Sequence, residues 1–170
     1  HTIMGFAGDT PFNFNYISSP GKVKVGPRSG VVSPAHETKE SAFLQSTEFC
    51  GTCHNEKDPY GIWVKSTQLE WKEGPYAKEG VRCQDCHMTK ARGPVATLAP
   101  EVPDARQHLF QGAHDPGKIR GTIEVRIHPD LREAEPGERI RFTVVLFNQK
   151  TGHKFPTGSA EERIVWLHVE

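Results

Sequence analysis

All four cysteines of the chain belong to two short segments of the same form. Residues 50–54 and 83–87 both read Cys-x-x-Cys-His. Two thiols three positions apart on one helical turn can bond to the two vinyl groups of one haem, and the next histidine can bind its iron. With nine histidines in 170 residues, roughly 0.005 such matches are expected by chance. The sequence therefore predicts two covalently attached c-type haems, held by Cys50, Cys53, His54, Cys83, Cys86 and His87.

Two other kinds of cysteine site are compatible with part of this pattern. A dithiol redox site would use Cys-x-x-Cys beside a parallel βαβ unit, and neither motif has such surroundings. A zinc site with four cysteine ligands fits the cysteine spacing alone. It needs no histidine after each pair, so the repeated histidine favours haem. Haem attachment of this kind takes place outside the cytoplasm. We therefore expect an extracytoplasmic protein, in the periplasm, at the cell surface or extracellular.

Short helices are expected to carry and separate the two motifs. Ser46 stands at an N-cap position and predicts a short helix that leads into the first cysteine pair. Thr67 and Glu70 have the spacing of a capping box, which predicts a second short helix that ends at Gly74-Pro75. The surrounding segments are rich in Gly and Pro and lack a sustained period, which predicts turns and loops over residues 1–46 and 88–118.

The pattern changes near residue 121, where apolar and polar residues begin to alternate. This alternation predicts strands around residues 123–127 and 140–146, joined by a turn at 135–138, and a third strand over 164–169. We interpret these strands as the first part of an antiparallel β-sandwich. The predicted class is α+β, with a haem-binding domain over residues 1–118 that is incomplete at its N-terminus, and a sandwich over 119–170 that is truncated at its C-terminus.

Several strings around the motifs resemble a known group of proteins. The chain resembles the multihaem c-type cytochromes of bacteria and archaea, related loosely to the cytochrome c554 and hydroxylamine oxidoreductase lineage. In such proteins a loop-rich segment with several haems is commonly followed by a β-sandwich, and further haem motifs usually lie upstream. The resemblance therefore implies that this chain is part of a longer protein. The matching strings cover residues 33–38, 48–55, 70–71 with 75–77, 80–88, 108–114 and 151–158.

The second axial ligand of each iron decides between electron transfer and chemistry on a small molecule. His36 lies in a loop, and the resemblance implies a ligand role for it. His108 and His114 bracket a Gly-containing segment that could turn both rings inward, and His153 lies in a loop shaped by glycines and a proline. The alternatives are solvated or hydrogen-bonded histidines for the first three and a structural turn for His153. The candidate iron ligands are thus His36, His54, His87, His108, His114 and His153.

These candidates outnumber the free axial positions of two irons. We therefore expect some of them to bind haems carried upstream or by another subunit. Met88 adjoins His87 and cannot easily reach the opposite side of the same iron. Ligation by two histidines and a low potential are expected, because methionine ligation raises the potential. His128 and His168 alternate away from the apolar faces of their strands and are interpreted as surface residues.

Composition limits the classes of function. Hydrophobic residues make up only 35% of the chain, which is little for a self-sufficient core and favours porphyrins as additional apolar filling. The 21 basic and 21 acidic residues balance and form no long run of one sign, so nucleic acid is not expected as a partner. No apolar stretch approaches the roughly 20 residues of a transmembrane helix. The expected partners are redox proteins or neighbouring haem subunits, with a homo-oligomer or filament as a further possibility.

Three functions agree with these observations. The first is electron transfer through two bis-histidine haems in a longer multihaem cytochrome, with the chain acting as a carrier rather than a catalyst. The second is a fragment of a multihaem oxidoreductase that acts on a small nitrogen or sulfur compound at an iron with an open position. The third is a subunit of an extracellular cytochrome filament.

Overall fold

The computed structural model describes residues 3–5, 17–18 and 21–168. The chain forms two compact units, one made of residues 1–110 and 152–170 and the other of residues 111–151. Short helices and two-stranded sheets make up both units, which confirms the predicted α+β class. None of the helices in the described ranges is long and apolar enough to cross a bilayer.

The described residues form five short α-helices. The two motifs lie on the first and fourth, and each proximal histidine is the last residue of its helix. The predicted N-cap position of Ser46 is confirmed, although its hydroxyl donates to the Phe43 carbonyl (2.7 Å) and accepts no bond from the amides of the helix. Two 3-10 helices cover Ala42–Gln45 and Ala160–Glu162. The α-helices are α1 (Thr47–His54), α2 (Thr67–Glu73), α3 (Pro75–Lys78), α4 (Cys83–His87) and α5 (Pro116–Ile119).

In the described residues, ten short strands pair into five separate sheets. Four sheets are antiparallel, and the pair β3–β4 is parallel. The segment predicted as a loop over residues 88–118 instead contains the β7–β8 hairpin. Its register shifts between Ala91 and Gly93, so its sequence, rich in Pro and Gly, lacks the regular alternation that predicts a strand. The pairs are β1 (Ile3–Gly5) with β2 (Ile17–Ser18), β3 (Lys24–Gly26) with β4 (Thr38–Glu40), β5 (Asn55–Lys57) with β6 (Trp63–Ser66), β7 (Lys90–Pro94) with β8 (Glu101–Arg106), and β9 (Ile123–Pro129) with β10 (Phe142–Asn148).

The second unit contains the strands predicted from alternation. β9 and β10 pair antiparallel in regular register, with Val144 opposite Ile127 and Leu146 opposite Val125. The third predicted strand is wrong over residues 164–168, which have no regular secondary structure and are exposed, while residue 169 lies outside the described residues. An apolar run forms a strand only where a partner strand can accept its hydrogen bonds, and no strand pairs with these residues. The described part of the chain therefore contains a two-stranded ribbon rather than two packed sheets.

The buried residues of the described chain are polar. No hydrophobic side chain is fully buried in residues 21–168, whereas Asn55 and Thr52 are each only 1% exposed. The side-chain amides of Asn55 and Gln68 are joined by a buried hydrogen bond of 2.9 Å. The buried side chains are therefore held by hydrogen bonds rather than by apolar contacts. This is consistent with the small share of hydrophobic residues in the sequence.

Candidate functional site

The two Cys-x-x-Cys-His motifs lie on neighbouring helices. α1 and α4 are in contact, and the Gln84 side chain donates from α4 to the Ser46 carbonyl just before α1 (2.7 Å). In each motif the first cysteine is half-buried and the second is exposed. In each pair the first cysteine is thus more protected from solvent than the second.

The first cysteines of the two motifs lie close enough to affect each other's ionisation, although they are 33 positions apart in sequence. The interaction with Cys83 lowers the pKa of the Cys50 thiol, and the interaction with Cys50, followed by burial, raises the pKa of the Cys83 thiol. The two candidate attachment sites are therefore adjacent in one cluster.

His54 lies within electrostatic range of two other candidate ligands. Partial removal of its ring from water lowers the pKa of His54. The positive charges of His87, Lys65 and His153 lower it further. A lowered pKa favours the neutral imidazole, which is the form that binds a metal. The structure thus brings His54, His87 and His153 into one region.

The rings of His87 and His153 are nearly parallel. Their planes differ by 16° and their centroids are 6.3 Å apart. Both side chains are half-buried. The Nδ1 atom of His153 lies 2.9 Å from the Lys154 carbonyl oxygen. Because a carbonyl can only accept, Nδ1 donates in this contact, and Nε2 is then the unprotonated nitrogen of the neutral ring.

The other candidate ligands have surroundings of their own. His36 is exposed and borders a cavity of about 850 Å³ lined by residues 21–38, with its Nδ1 atom 3.2 Å from the Glu37 carbonyl oxygen. His108 is exposed and lies edge-to-face with Phe110 at 5.8 Å, and His114 is exposed in the second unit. The Nδ1 atom of His36, like that of His153, thus contacts a backbone carbonyl, but no second imidazole faces His36 in the described structure.

Glu70 positions the loop that carries His153. The capping box predicted for Thr67 and Glu70 does not form, because α2 has Ser66 at its N-cap position. One carboxylate oxygen of Glu70 accepts from the Lys154 amide (3.1 Å) and the Thr157 hydroxyl (2.7 Å). The other accepts from the Ser66 hydroxyl (2.9 Å). Sequence reasoning assigned Glu70 to a local bond, and no local signal indicates this contact across more than 80 residues.

Arg106 is a second residue that sequence reasoning missed. Its guanidinium donates to the carbonyl oxygens of Gln84 (2.7 Å) and Met88 (3.0 Å) and to the Asp85 carboxylate (2.5 Å). Burial alone would raise the pKa of Asp85, but hydrogen bonds from the Arg82 amide and from the guanidinium groups of Arg106 and Arg82 outweigh it and lower this pKa to about 2. The β7–β8 hairpin thereby fixes α4 from its outer side.

The donor set fits a c-type haem better than zinc. Each helix presents two thiols and an imidazole with the spacing that thioether attachment and iron binding need. Over residues 21–168, no three His, Cys, Asp or Glu side chains form a group that could hold a metal ion. If haems are bound here, Cys50, Cys53 and His54 would hold one, and Cys83, Cys86 and His87 the other.

Comparison with known proteins decides the family. The model of the NapC/NirT cytochrome c family, N-terminal region, matches residues 17–120, which is more than half of the chain and includes both motifs. The chain belongs to this family. The match confirms the predicted multihaem c-type cytochrome, a family for which covalent c-type haem is expected. Like other NapC/NirT cytochromes, it is extracytoplasmic.

One solved structure is similar to this NapC/NirT cytochrome. It is a penta-haem cytochrome c552 from Thermochromatium tepidum, with 26% sequence identity and a TM-score of 0.49 over 77% of this chain. The chain spans 30% of the length of that structure. None of the curated proteins matches the chain.

Proposed function

We propose that this chain is an electron-transfer segment of a longer multihaem cytochrome, with two attached c-type haems and a histidine on both sides of each iron. The supporting observation is that α1 and α4, the helices that carry the two motifs, lie in contact. The contact makes the two attachment points neighbours. Redox centres exchange electrons when they lie close together.

Within this proposal each part of the motif has its own task. The bound haems supply one-electron transfer. The two cysteines of each motif fix one porphyrin, and His54 and His87 bind the irons as proximal ligands. The distal ligands come from the remaining candidates, which are His36, His108, His114 and His153. Two histidines per iron leave no open position for a substrate and favour a low potential.

The wider context belongs to the same proposal. The chain would act in the periplasm or at the cell surface, exchange electrons with redox proteins or neighbouring haem subunits, and belong near the cytochrome c554 and hydroxylamine oxidoreductase lineage. Residues 1–118 would form the haem-binding domain, and residues 119–170 would begin a β-sandwich.

Counting haems tests the proposal. The chain should be produced in cells that attach c-type haem and then analysed by mass spectrometry after denaturation. We expect the mass of two haems, and one fewer in each of the double variants Cys50→Ala/Cys53→Ala and Cys83→Ala/Cys86→Ala. Bound zinc without haem would contradict the proposal. As controls, Ser33→Ala and Ser66→Ala replace small side chains outside the two motifs. Both variants should keep two haems.

Spectroscopy distinguishes an electron carrier from a catalyst. Both irons of the oxidised protein should be low-spin, and the reduced protein should not bind carbon monoxide readily, because both axial positions are filled. Ready binding of carbon monoxide or cyanide in the unmodified protein would instead support an open position and an enzymatic role.

A further inference from the structure

We infer that Arg106, together with Arg82 and Asp85, tunes the reduction potential of the haem that the second motif would hold. The net positive charge of these three side chains raises that potential. The inference rests on the proposed function, because it concerns one of the two haems of that proposal. Three features of the structure support it: the position of the Arg106 guanidinium on α4, its partial protection from water, and the different charges around the two motifs.

The Arg106 guanidinium contacts the turn of α4 that carries His87. One of its nitrogens donates to the carbonyl oxygens of Gln84 (2.7 Å) and Met88 (3.0 Å), which precede and follow His87 in the chain. α4 is only five residues long, so it would have little stability as an isolated helix. The positive charge of Arg106 is therefore held by two hydrogen bonds at the backbone on either side of a candidate iron ligand.

Asp85 and Arg82 complete a cluster of three charges at this helix. Another nitrogen of the Arg106 guanidinium donates to one oxygen of the Asp85 carboxylate (2.5 Å), and Nε of Arg82 donates to the other oxygen (3.4 Å). The Arg82 guanidinium also donates to the Gln45 carbonyl (3.2 Å), which helps to fix its position. Two guanidinium groups and one carboxylate leave one net positive charge beside the second motif.

The cluster is partly shielded from water. The side chains of Arg106, Asp85 and Arg82 are 22%, 33% and 39% exposed. Arg92 lies on the same hairpin, but its side chain is 80% exposed. Salt and water screen the charge of an exposed group strongly and that of a partly buried group less. The charge of Arg106 should therefore act on its surroundings more strongly than the charge of Arg92.

The other charged groups around Arg106 leave this net charge in place. Arg28 and Asp104 form a pair of opposite charges 2.8 Å apart. Lys90 and Glu40, which line the same cavity as Arg106, also have opposite charges. Because these four groups cancel in pairs, the charge near α4 remains positive.

The first motif has different charges beside it. Glu48 lies in the first turn of α1. The positive charge of Lys65, which acts on His54, is offset by the Glu56 carboxylate 2.5 Å away. Glu48, Glu56 and Lys65 together carry one net negative charge. An effect of the Arg106 cluster should therefore fall on one haem rather than on both.

A fixed positive charge near a haem raises its reduction potential. Reduction transfers one electron from a redox partner to ferric iron, which becomes ferrous, and no bond forms or breaks. The ferric form carries one more positive charge than the ferrous form, so a neighbouring cation destabilises it by Coulomb repulsion. Removal of the cation should therefore lower the potential, and removal of a neighbouring carboxylate should raise it.

Charge-changing variants of the haem-loaded protein test this inference. Their potentials should be measured by redox titration followed by electronic spectra, after mass spectrometry has confirmed two attached haems. In Arg106→Gln the ratio of reduced to oxidised iron at a fixed applied potential should fall about three- to tenfold for one haem. Arg82→Gln should lower the same potential, and Asp85→Asn should raise it.

Two controls separate the charge of Arg106 from its packing. Arg106→Lys keeps the positive charge, so both potentials should stay close to those of the unmodified protein although the contacts with α4 are weakened. Arg92→Gln removes the same charge from an exposed position of the same hairpin and should leave both potentials unchanged.

The outcomes separate this inference from the proposed function. Unchanged potentials in Arg106→Gln, or equal shifts in Arg106→Gln and Arg106→Lys, would overturn the tuning role and leave the electron-transfer proposal intact. If Arg106→Gln does not take up haem, shifts of the same sign in Arg82→Gln and Asp85→Asn would also overturn it, because opposite charge changes must have opposite effects. Absence of haem from the unmodified protein would instead contradict the proposed function itself.

Discussion

The two attachment helices use the same five-residue motif in different surroundings. α1 has eight residues and is followed by the buried Asn55. α4 has five residues, and the Arg106 guanidinium donates to its Gln84 carbonyl. His87 has a parallel partner ring in His153, and in the described residues no imidazole is stacked on His54. The two motifs are therefore alike in sequence, while their surroundings hold the two helices in different ways.

The first site should depend most strongly on the buried polar centre. Asn55 accepts at its side-chain oxygen from the amides of Gln68 and Leu69 in the first turn of α2, and donates to the Gln68 side chain. It thus caps α2 from a distant part of the chain. Asn55→Ala removes all three bonds in a buried place, so we expect a loss of about 2–4 kcal/mol in the free energy of unfolding.

Denaturant unfolding of the haem-loaded protein measures this loss. Ser66→Ala is the appropriate comparison, because Ser66 occupies the N-cap position of α2 without making a capping bond. Its loss should be below about 1 kcal/mol. Equal losses for the two variants would mean that the distant cap does not stabilise α2.

The second site should be more sensitive to its bracing loop than to buried polar groups. In Gly152→Ala the new Cβ would approach Cδ2 of Tyr76 to 2.7 Å, so the loop must move. Overpacking of this kind costs about 1–3 kcal/mol. We expect that loss in the free energy of unfolding, measured with denaturant on the haem-loaded protein. Gly93→Ala, where the added Cβ meets no atom within 4 Å, should show no such loss. A Gly152→Ala protein as stable as the unmodified one would remove the distinction between the two sites.

The sequence predicted the chemistry of the sites better than their support. The two motifs, the helices α1 and α2 and the strands β9 and β10 follow from local spacing and periodicity, so they could be found without coordinates. The acceptor role of Glu70, the cap from Asn55 and the clamp from Arg106 depend on residues 13 to 87 positions apart. Such contacts leave no local pattern, and a local rule assigned Glu70 to a capping box instead.

The outer clamp of α4 should contribute less than the buried centre of α1. Arg106→Lys keeps the charge but cannot reach two carbonyls and a carboxylate at once. We expect a loss of about 1–2 kcal/mol by denaturant unfolding. Arg92→Lys is the matched control, because its partner Glu101 is exposed and such pairs contribute about 0–1 kcal/mol. A loss at Arg92 as large as that at Arg106 would show that the hairpin, rather than the clamp, is responsible.

The smallest expected effect lies further along the same hairpin, at Asp104. A hydrogen bond from Arg28, 2.8 Å away, lowers the pKa of Asp104. Because the folded pKa is below the unfolded one, the unfolded chain binds more protons as the pH falls. The stabilisation is therefore fully present above the ordinary pKa and is lost as the pH falls through the lowered one. Denaturant unfolding of Asp104→Asn and the unmodified protein should differ near neutral pH and converge in acid. A difference that stays constant with pH would exclude the ion pair as its cause.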